Sequence, residues 1–221
     1  VTSYRRSGLH TTESVREITS LLIREYPDRA PLLDYDSPYH LLIAVILSAQ
    51  TTDAQVNEVT PILFTRYPRP ADLAAASPRE VERIVRSTGF FRVKAKSIIG
   101  AANAIHRRFD DTVPRSMEDL TSIPGVGGKG ANVIRGVVFG LPSIAVDTHL
   151  GRVVRRIGLV STGNADRVER ELKQMVPEAI QTDFSMAVNR HGRYCCYSRS
   201  PDCERCVIRD FCEWRQSGHK K

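Results

Sequence analysis

Apolar residues recur along this chain with the 3.6-residue period of an α-helix, and no segment sustains the apolar/polar alternation of a half-buried strand. Near the start, Ser14 and Glu17 are spaced as a capping box, and Val15, Ile18, Leu21 and Leu22 line one face of the helix that follows. Ser37-Pro38 pairs an N-cap with proline at the first helical position. The run 41–47 behind it is apolar on every side, the pattern of a helix buried at the centre of a domain, and it should end near Ser48-Ala49-Gln50. Thr52 or Asp53 then caps another helix, which Pro61 should kink, and Ser77-Pro78-Arg79-Glu80 opens one that stops at Gly89. Further helices are predicted over residues 94–109, 116–122, 129–139, 148–157, 166–175 and 184–190. No repeat, low-complexity tract or flexible linker interrupts the series, so the pattern predicts an all-α protein.

Composition narrows the class without naming a function. A chain of 221 residues fits one large domain or two small ones and needs no metal or disulfide staple merely to fold. Hydrophobic residues at 41% and charged ones at 26% exclude wholesale disorder, collagen and a simple coiled coil. The longest apolar run falls far short of the ~20 residues that span a membrane. Val1-Thr-Ser-Tyr-Arg-Arg6 lacks the apolar core of an export signal, so a cytoplasmic protein with no membrane partner is expected. The net charge of +7 favours a polyanionic partner. Arg79, Arg83, Arg86, Arg92, Lys94, Lys96, Arg107 and Arg108 form a basic stretch opposed only by Glu80 and Glu82. That stretch suits a solvated helix face and a phosphate-binding face equally. It flanks the turn Gly89-Phe90-Phe91-Arg92, whose two phenylalanines suit either wedging between bases or tucking one ring into the core.

Two clusters carry chemistry. All five cysteines, Cys195, Cys196, Cys203, Cys206 and Cys212, fall in one C-terminal window, which points to a metal centre rather than to a disulfide framework. Cys196, Cys203, Cys206 and Cys212 are spaced C-x6-C-x2-C-x5-C, a set that can hold zinc or an iron–sulfur cluster, and Cys195 is left over. Upstream, Leu120-Thr-Ser-Ile-Pro-Gly-Val-Gly-Gly-Lys129 joins a short helix to a longer one through a glycine-rich turn. Backbone amides there and a helix N-terminus can face one anion, although such a turn also serves as an ordinary helix connection. It is no nucleoside-triphosphate loop, because no strand precedes it and Gly130 follows the lysine.

Together with Leu47-Ser-Ala-Gln-Thr-Thr-Asp53, Ala145-Val-Asp-Thr-His149 and His191-Gly-Arg-Tyr194, these segments resemble the endonuclease III family of DNA glycosylases, in its order and at compatible separations. The resemblance implies an all-α, two-domain helix-hairpin-helix fold with a C-terminal iron–sulfur cluster loop. Residues 31–141 would form a six-helix domain with the hairpin, and 1–30 with 142–221 the cluster domain, the site lying in a cleft. It implies a [4Fe-4S] cluster on Cys196, Cys203, Cys206 and Cys212, leaving Cys195 as a packed thiol or an alternative ligand. The implied partner is double-stranded DNA with damaged bases or abasic sites, bound by a monomer in a bacterial cytoplasm or nucleoid. The implied activity is a glycosylase and abasic-site lyase acting on oxidised pyrimidines.

Site residues follow position by position. Lys129 matches the nucleophile, which attacks the sugar C1′ to form a Schiff base before β-elimination. An ordinary lysine, with a pKa near ~10.4, is neutral in only about one part in 2,500 at pH 7, so a helix N-terminus and partial burial are expected to favour the amine. Asp147 matches the catalytic aspartate and also sits where an N-cap belongs. Gln50 matches the residue that fills the gap left by a flipped base, and Phe90 the apolar wedge. Ile123, Gly125, Val126 and Gly127 form the hairpin turn on the DNA backbone, and Arg199 lies in the cluster loop among Arg190, Arg193, Arg205 and Arg209. His149 and Asp53 are expected to be structural. Gly128 and Gly130 depart from the family's basic residue and threonine, and should loosen the start of the lysine helix. Two other functions compete: a mismatch adenine glycosylase, which usually lacks the lysine, and a DNA-binding module whose catalysis has decayed.

Overall fold

The computed structural model describes residues 10–28 and 30–218; the segment Val1-Thr-Ser-Tyr-Arg-Arg6, read above for export signals, lies outside them. Twelve α-helices and three short 3-10 turns, with no strand among the described residues, make up the fold. The chain divides into two compact units, one of residues 31–139 and one of residues 1–30 with 140–221. No helix among the described residues is long and apolar enough to cross a membrane.

The first unit is built on α2 (Pro38–Leu47), capped by the Ser37 hydroxyl, which accepts from the His40 amide at 3.1 Å. Leu41, Leu42, Ile43, Ala44 and Leu47 are all fully buried, so this helix has no solvent face. Burying each such side chain is worth ~1.5–3 kcal/mol, which makes α2 the member on which its neighbours converge. Those neighbours are α3 (Asp53–Arg66), α6 (Phe91–Arg108) and α8 (Gly128–Phe139). Behind α6 lie α4 (Pro70–Ala74) and α5 (Pro78–Ile84), and α7 (Met117–Thr121) packs on α8. Thr52, not Asp53, is the α3 cap, and α3 continues through Pro61 to Arg66. The predicted helix from Ser77 ends at Ile84 and passes through a 3-10 turn at Arg86–Thr88 before Gly89.

Lys94 corrects the expected basic face. It is only 4% exposed and points into the unit rather than out to solvent. The other cations of that stretch stay at the surface, where Arg92 and Arg86 lie 5.5 and 6.0 Å from the Phe91 ring centre.

The second unit packs α1 (Thr12–Glu25), α9 (Thr148–Ile157), α10 (Ala165–Met175) and α11 (Gln181–Tyr194), with α12 (Glu213–Gln216) against α9. Helix α1 starts three residues before the expected capping box: Thr11 is the cap and accepts from the Ser14 amide at 3.2 Å. Helix α11 outruns its predicted 184–190 span at both ends, since Gln181 and His191 are buried and extend its apolar face. The short α4 and α12 carry too few residues for a periodic signal, and sequence reasoning missed both.

The hairpin turn is held by close approach to α2. Gly125 has φ +82°, and a Cβ there would stand 2.9 Å from Ile46 Cγ2 and 3.0 Å from Ser97 Cβ. Gly130 meets Val45 Cγ1 at 3.0 Å, so the glycine after Lys129 is where α8 crosses close to α2. Gly128 faces open space, and nothing in the structure requires glycine there. The Gly125→Ala variant should lose about 2 kcal/mol or more of unfolding free energy through backbone strain and overpacking. Gly128→Ala should instead be neutral or stabilise by up to about 1 kcal/mol, both read by urea denaturation.

Candidate active site and cluster loop

In the unit of residues 31–139, two turns and the hairpin carry the predicted side chains. Ile123 and Val126 are buried at 1% and 6% exposure, so only the main chain of the turn is available to a phosphate at those positions. Gly125, between them, and Gly127, directly after Val126, are exposed. Lys129 is the second residue of α8, a position at which helix amides lack intrahelical partners. Its side chain is exposed, so the expected partial burial is absent.

Gln50 ends the turn after α2 with a left-handed backbone, φ 53°, and is exposed. Phe90 is left-handed as well, φ 46°, and precedes α6 with 65% of its surface exposed. Its neighbour Phe91 packs against the hydrophobic core. One phenylalanine is therefore tucked in and the other presented. Val93, one helical turn further on, is 66% exposed and extends the apolar tip.

Asp147 belongs to the other unit and is the N-cap of α9. Its Oδ1 accepts from the Leu150 amide at 2.8 Å, and its Oδ2 accepts from Asn189 Nδ2 at 2.6 Å. Asn189 Oδ1 accepts in turn from Arg193 Nε at 3.0 Å, so the carboxylate is oriented by a chain of donors from α11. Sequence reasoning missed Asn189, because a lone Asn inside a helix gives no local signal of what it faces. His149 is half-buried and takes a contact from Arg152 Nη2 at 3.2 Å.

The cluster loop lies along the same helix α9. Arg152 donates to the carbonyls of Gly192 at 2.6 Å and Cys196 at 3.1 Å. Arg156 donates to Cys196 Sγ at 3.3 Å and to the carbonyls of Tyr197 at 2.6 Å and Ser198 at 2.9 Å, and its guanidinium stacks 4.8 Å from the Trp214 ring centre. Neither arginine stood out in the sequence. Arg199 is exposed, but Arg190 is withdrawn from the expected basic surface, since it donates to Asp28 Oδ2 at 2.7 Å and to the Ala30 carbonyl at 2.8 Å.

Cys196, Cys203, Cys206 and Cys212, together with Cys195, line one recess, backed by Val153, Ile157, Ile208 and Trp214. Four soft sulfur donors around an apolar-backed hollow, with a guanidinium on one sulfur, fit an iron–sulfur cluster. Cys195 is buried beside Cys206, and with His191 these two form the tightest group of ligand atoms among the described residues, all within 4.8 Å. Contact with Cys195, together with burial, pushes the Cys206 thiol up to about 12, and burial raises Cys203 and Cys212. Metal binding at such thiols must displace protons.

Comparison with known proteins follows these lines. Residues 43–178 match the model of the HhH-GPD superfamily of base excision DNA repair proteins, and residues 196–212 match the iron–sulfur binding domain of endonuclease III. The Endonuclease III of Synechocystis sp. is 41% identical, covering 98% of this chain and 100% of the relative. A structure of a non-covalent Endonuclease III–DNA complex superposes with TM-score 0.89 at 36% identity, covering 95% of this chain and 98% of that one. A trapped Endonuclease III–DNA covalent intermediate matches with the same TM-score and identity, covering 95% and 99%.

Replacing Arg156 with Met keeps its stem while removing three hydrogen bonds to the cluster loop. Cluster absorbance should then decay several-fold faster under a chelator, with a loss of ~1–3 kcal/mol in thermal stability.

Proposed function

The chain belongs to the HhH-GPD superfamily of base excision DNA repair proteins, within it to the endonuclease III family, and on that premise we propose that it excises oxidised pyrimidines and nicks the resulting abasic site. It is a DNA glycosylase and lyase of base excision repair and carries a [4Fe-4S] cluster. The observation that carries the finer reading is the placement of Lys129: an exposed amine on the first turn of α8, directly after a turn whose glycines keep main-chain amides open.

In this reading the hairpin amides bind a backbone phosphate, which positions the duplex without reading sequence. The target nucleotide turns out of the stack, at a cost of a few kcal/mol in lost stacking. Phe90 supports the opened step as an apolar wedge, and Gln50 fills the vacancy with both a donor and an acceptor. The Lys129 amine attacks C1′ and the base departs with the bonding electrons of the glycosidic bond. The sugar ring then opens to a Schiff base on Lys129, a proton leaves C2′, and the 3′ C–O bond breaks. Asp147, held by Leu150 and Asn189, stabilises the positive charge that develops on the sugar and relays protons. Both chain segments flanking residues 31–139 supply the cluster domain in this reading.

The cluster would sit on Cys196, Cys203, Cys206 and Cys212, where it supplies a fixed scaffold for the loop that carries Arg199 to the DNA backbone. The protein would act as a monomer in a bacterial cytoplasm or nucleoid. Lys129 speaks against a mismatch adenine glycosylase, and its retention with Asp147 speaks against a module that only binds DNA.

Borohydride trapping on duplexes carrying an abasic site or thymine glycol tests the proposal. The parent protein should form a covalent adduct with both, and Lys129→Gln with neither. Asp147→Asn keeps an oxygen for the N-cap but sets an amide nitrogen against the Asn189 donor, so stability should fall by about 1–2 kcal/mol while turnover falls about 100-fold. Tight DNA binding without an adduct on either substrate would leave only the binding module.

A further inference from the structure

Among the described residues, Lys94 is the only buried lysine, and the chemistry above makes no use of it. Its ammonium donates to Thr51 Oγ1 and, at 2.7 Å, to the Thr88 carbonyl. Thr51 Oγ1 donates to that same carbonyl, so three groups from three segments close on one another. Burial lowers the lysine's pKa from its ordinary value, and no carboxylate offsets that effect. A desolvated ammonium satisfied only by neutral oxygens is an expensive way to fill a core position that Met or Leu would fill at no electrostatic cost.

What the two acceptors have in common is their neighbours. Thr51 directly follows Gln50, and Thr88 directly precedes Gly89 and Phe90; Gln50, Gly89 and Phe90 all have positive φ. The Lys94 amide also donates to the Phe90 carbonyl at 3.0 Å, so this one residue grips the Phe90 turn through main chain and side chain together. A second, weaker tie runs in parallel, from Gln55 Nε2 to Ser87 Oγ at 3.1 Å. Left-handed backbone at a non-glycine residue is strained and persists only where the surroundings over-determine it. Here the surroundings of both strained turns meet at one nitrogen.

We propose that Lys94 is a positioning residue that locks the Gln50 turn to the Phe90 turn, so that gap filling and wedging occur as one concerted insertion into a single base step. The inference rests on the roles given to Gln50 and Phe90 above. Its physical content is preorganisation: two side chains held at fixed separation are ordered once, before DNA arrives, instead of each being ordered separately during base opening.

Two substrates and one mutant cycle test this. Excision of thymine glycol from duplex DNA requires both insertions, whereas nicking of a single strand with a preformed abasic site requires neither. Lys94→Met should slow duplex excision about tenfold or more while single-strand nicking stays within about twofold of the parent. In the parent background, Gln50→Ala and Phe90→Ala together should cost little more than the worse of the two alone; in the Lys94→Met background their effects should add. If Lys94→Met fails to unfold cooperatively, Thr51→Val removes the side-chain acceptor instead, and Thr51→Ser should restore duplex excision. Equal loss on both substrates, duplex excision at the parent rate, or a Gln50–Phe90 coupling that survives loss of the link would each overturn the proposal. A parent protein that nicks abasic strands but excises nothing from duplex DNA would remove the roles given to Gln50 and Phe90, and is distinguishable from all three.

Discussion

The contact that the first unit's arrangement around Lys129 and Gln50 depends on is the seating of the glycine-rich turn on helix α2. Gly125 leaves no room for a Cβ against Ile46, and Gly130 brings α8 against Val45. Both partners belong to a helix that is apolar all round and buried, so the turn rests on the least deformable element of that unit. From this seat the orientation of α8 follows, and with it the direction in which Lys129 projects. The turn that carries Gln50 is the C-terminal end of the same helix. A single buried helix thus places Lys129 from its side and Gln50 from its end.

In the other unit α9 does two jobs along one length. Its N-cap is Asp147, with both carboxylate oxygens occupied by donors, and Arg152 and Arg156 bind the cluster loop to its flank. A loop with five cysteines and little regular structure cannot bury enough apolar surface to order itself. It is held instead by two guanidiniums, which make the cluster loop an extension of the helix that Asp147 caps. Three arginines near the loop are withdrawn from any open basic surface: Arg190, Arg152 and Arg156 are committed to carbonyls and a carboxylate of this unit.

Much of this was legible beforehand, for identifiable reasons. Helices α2, α6, α8, α9 and α10 announce themselves by apolar spacing and cap residues, which act over four or five neighbouring positions. The cysteine spacing and the I-P-G-V-G turn are likewise local, since their chemistry is contained in the chain segment itself. Errors arose where a local signal had two readings. Ser14-x-x-Glu17 satisfies the capping-box pattern, yet Thr11 caps α1. Lys94 reads as one more cation in a basic run until packing removes it from the surface.

The sequence by itself determined the helical class, the glycine-rich turn between two helices, the place of Lys129 directly after it and the spacing of the cysteines, because each is encoded in residues close along the chain. Only the tertiary structure decided which of Phe90 and Phe91 is presented, that Gly130 but not Gly128 sits close against α2, what holds Asp147, and where the Lys94 ammonium ends. Each of those depends on a partner tens of residues away: Asn189 lies 42 positions from Asp147, and Thr51 lies 43 from Lys94. A one-dimensional pattern carries periodicity and spacing, but burial and pairing exist only once distant segments have been brought into contact.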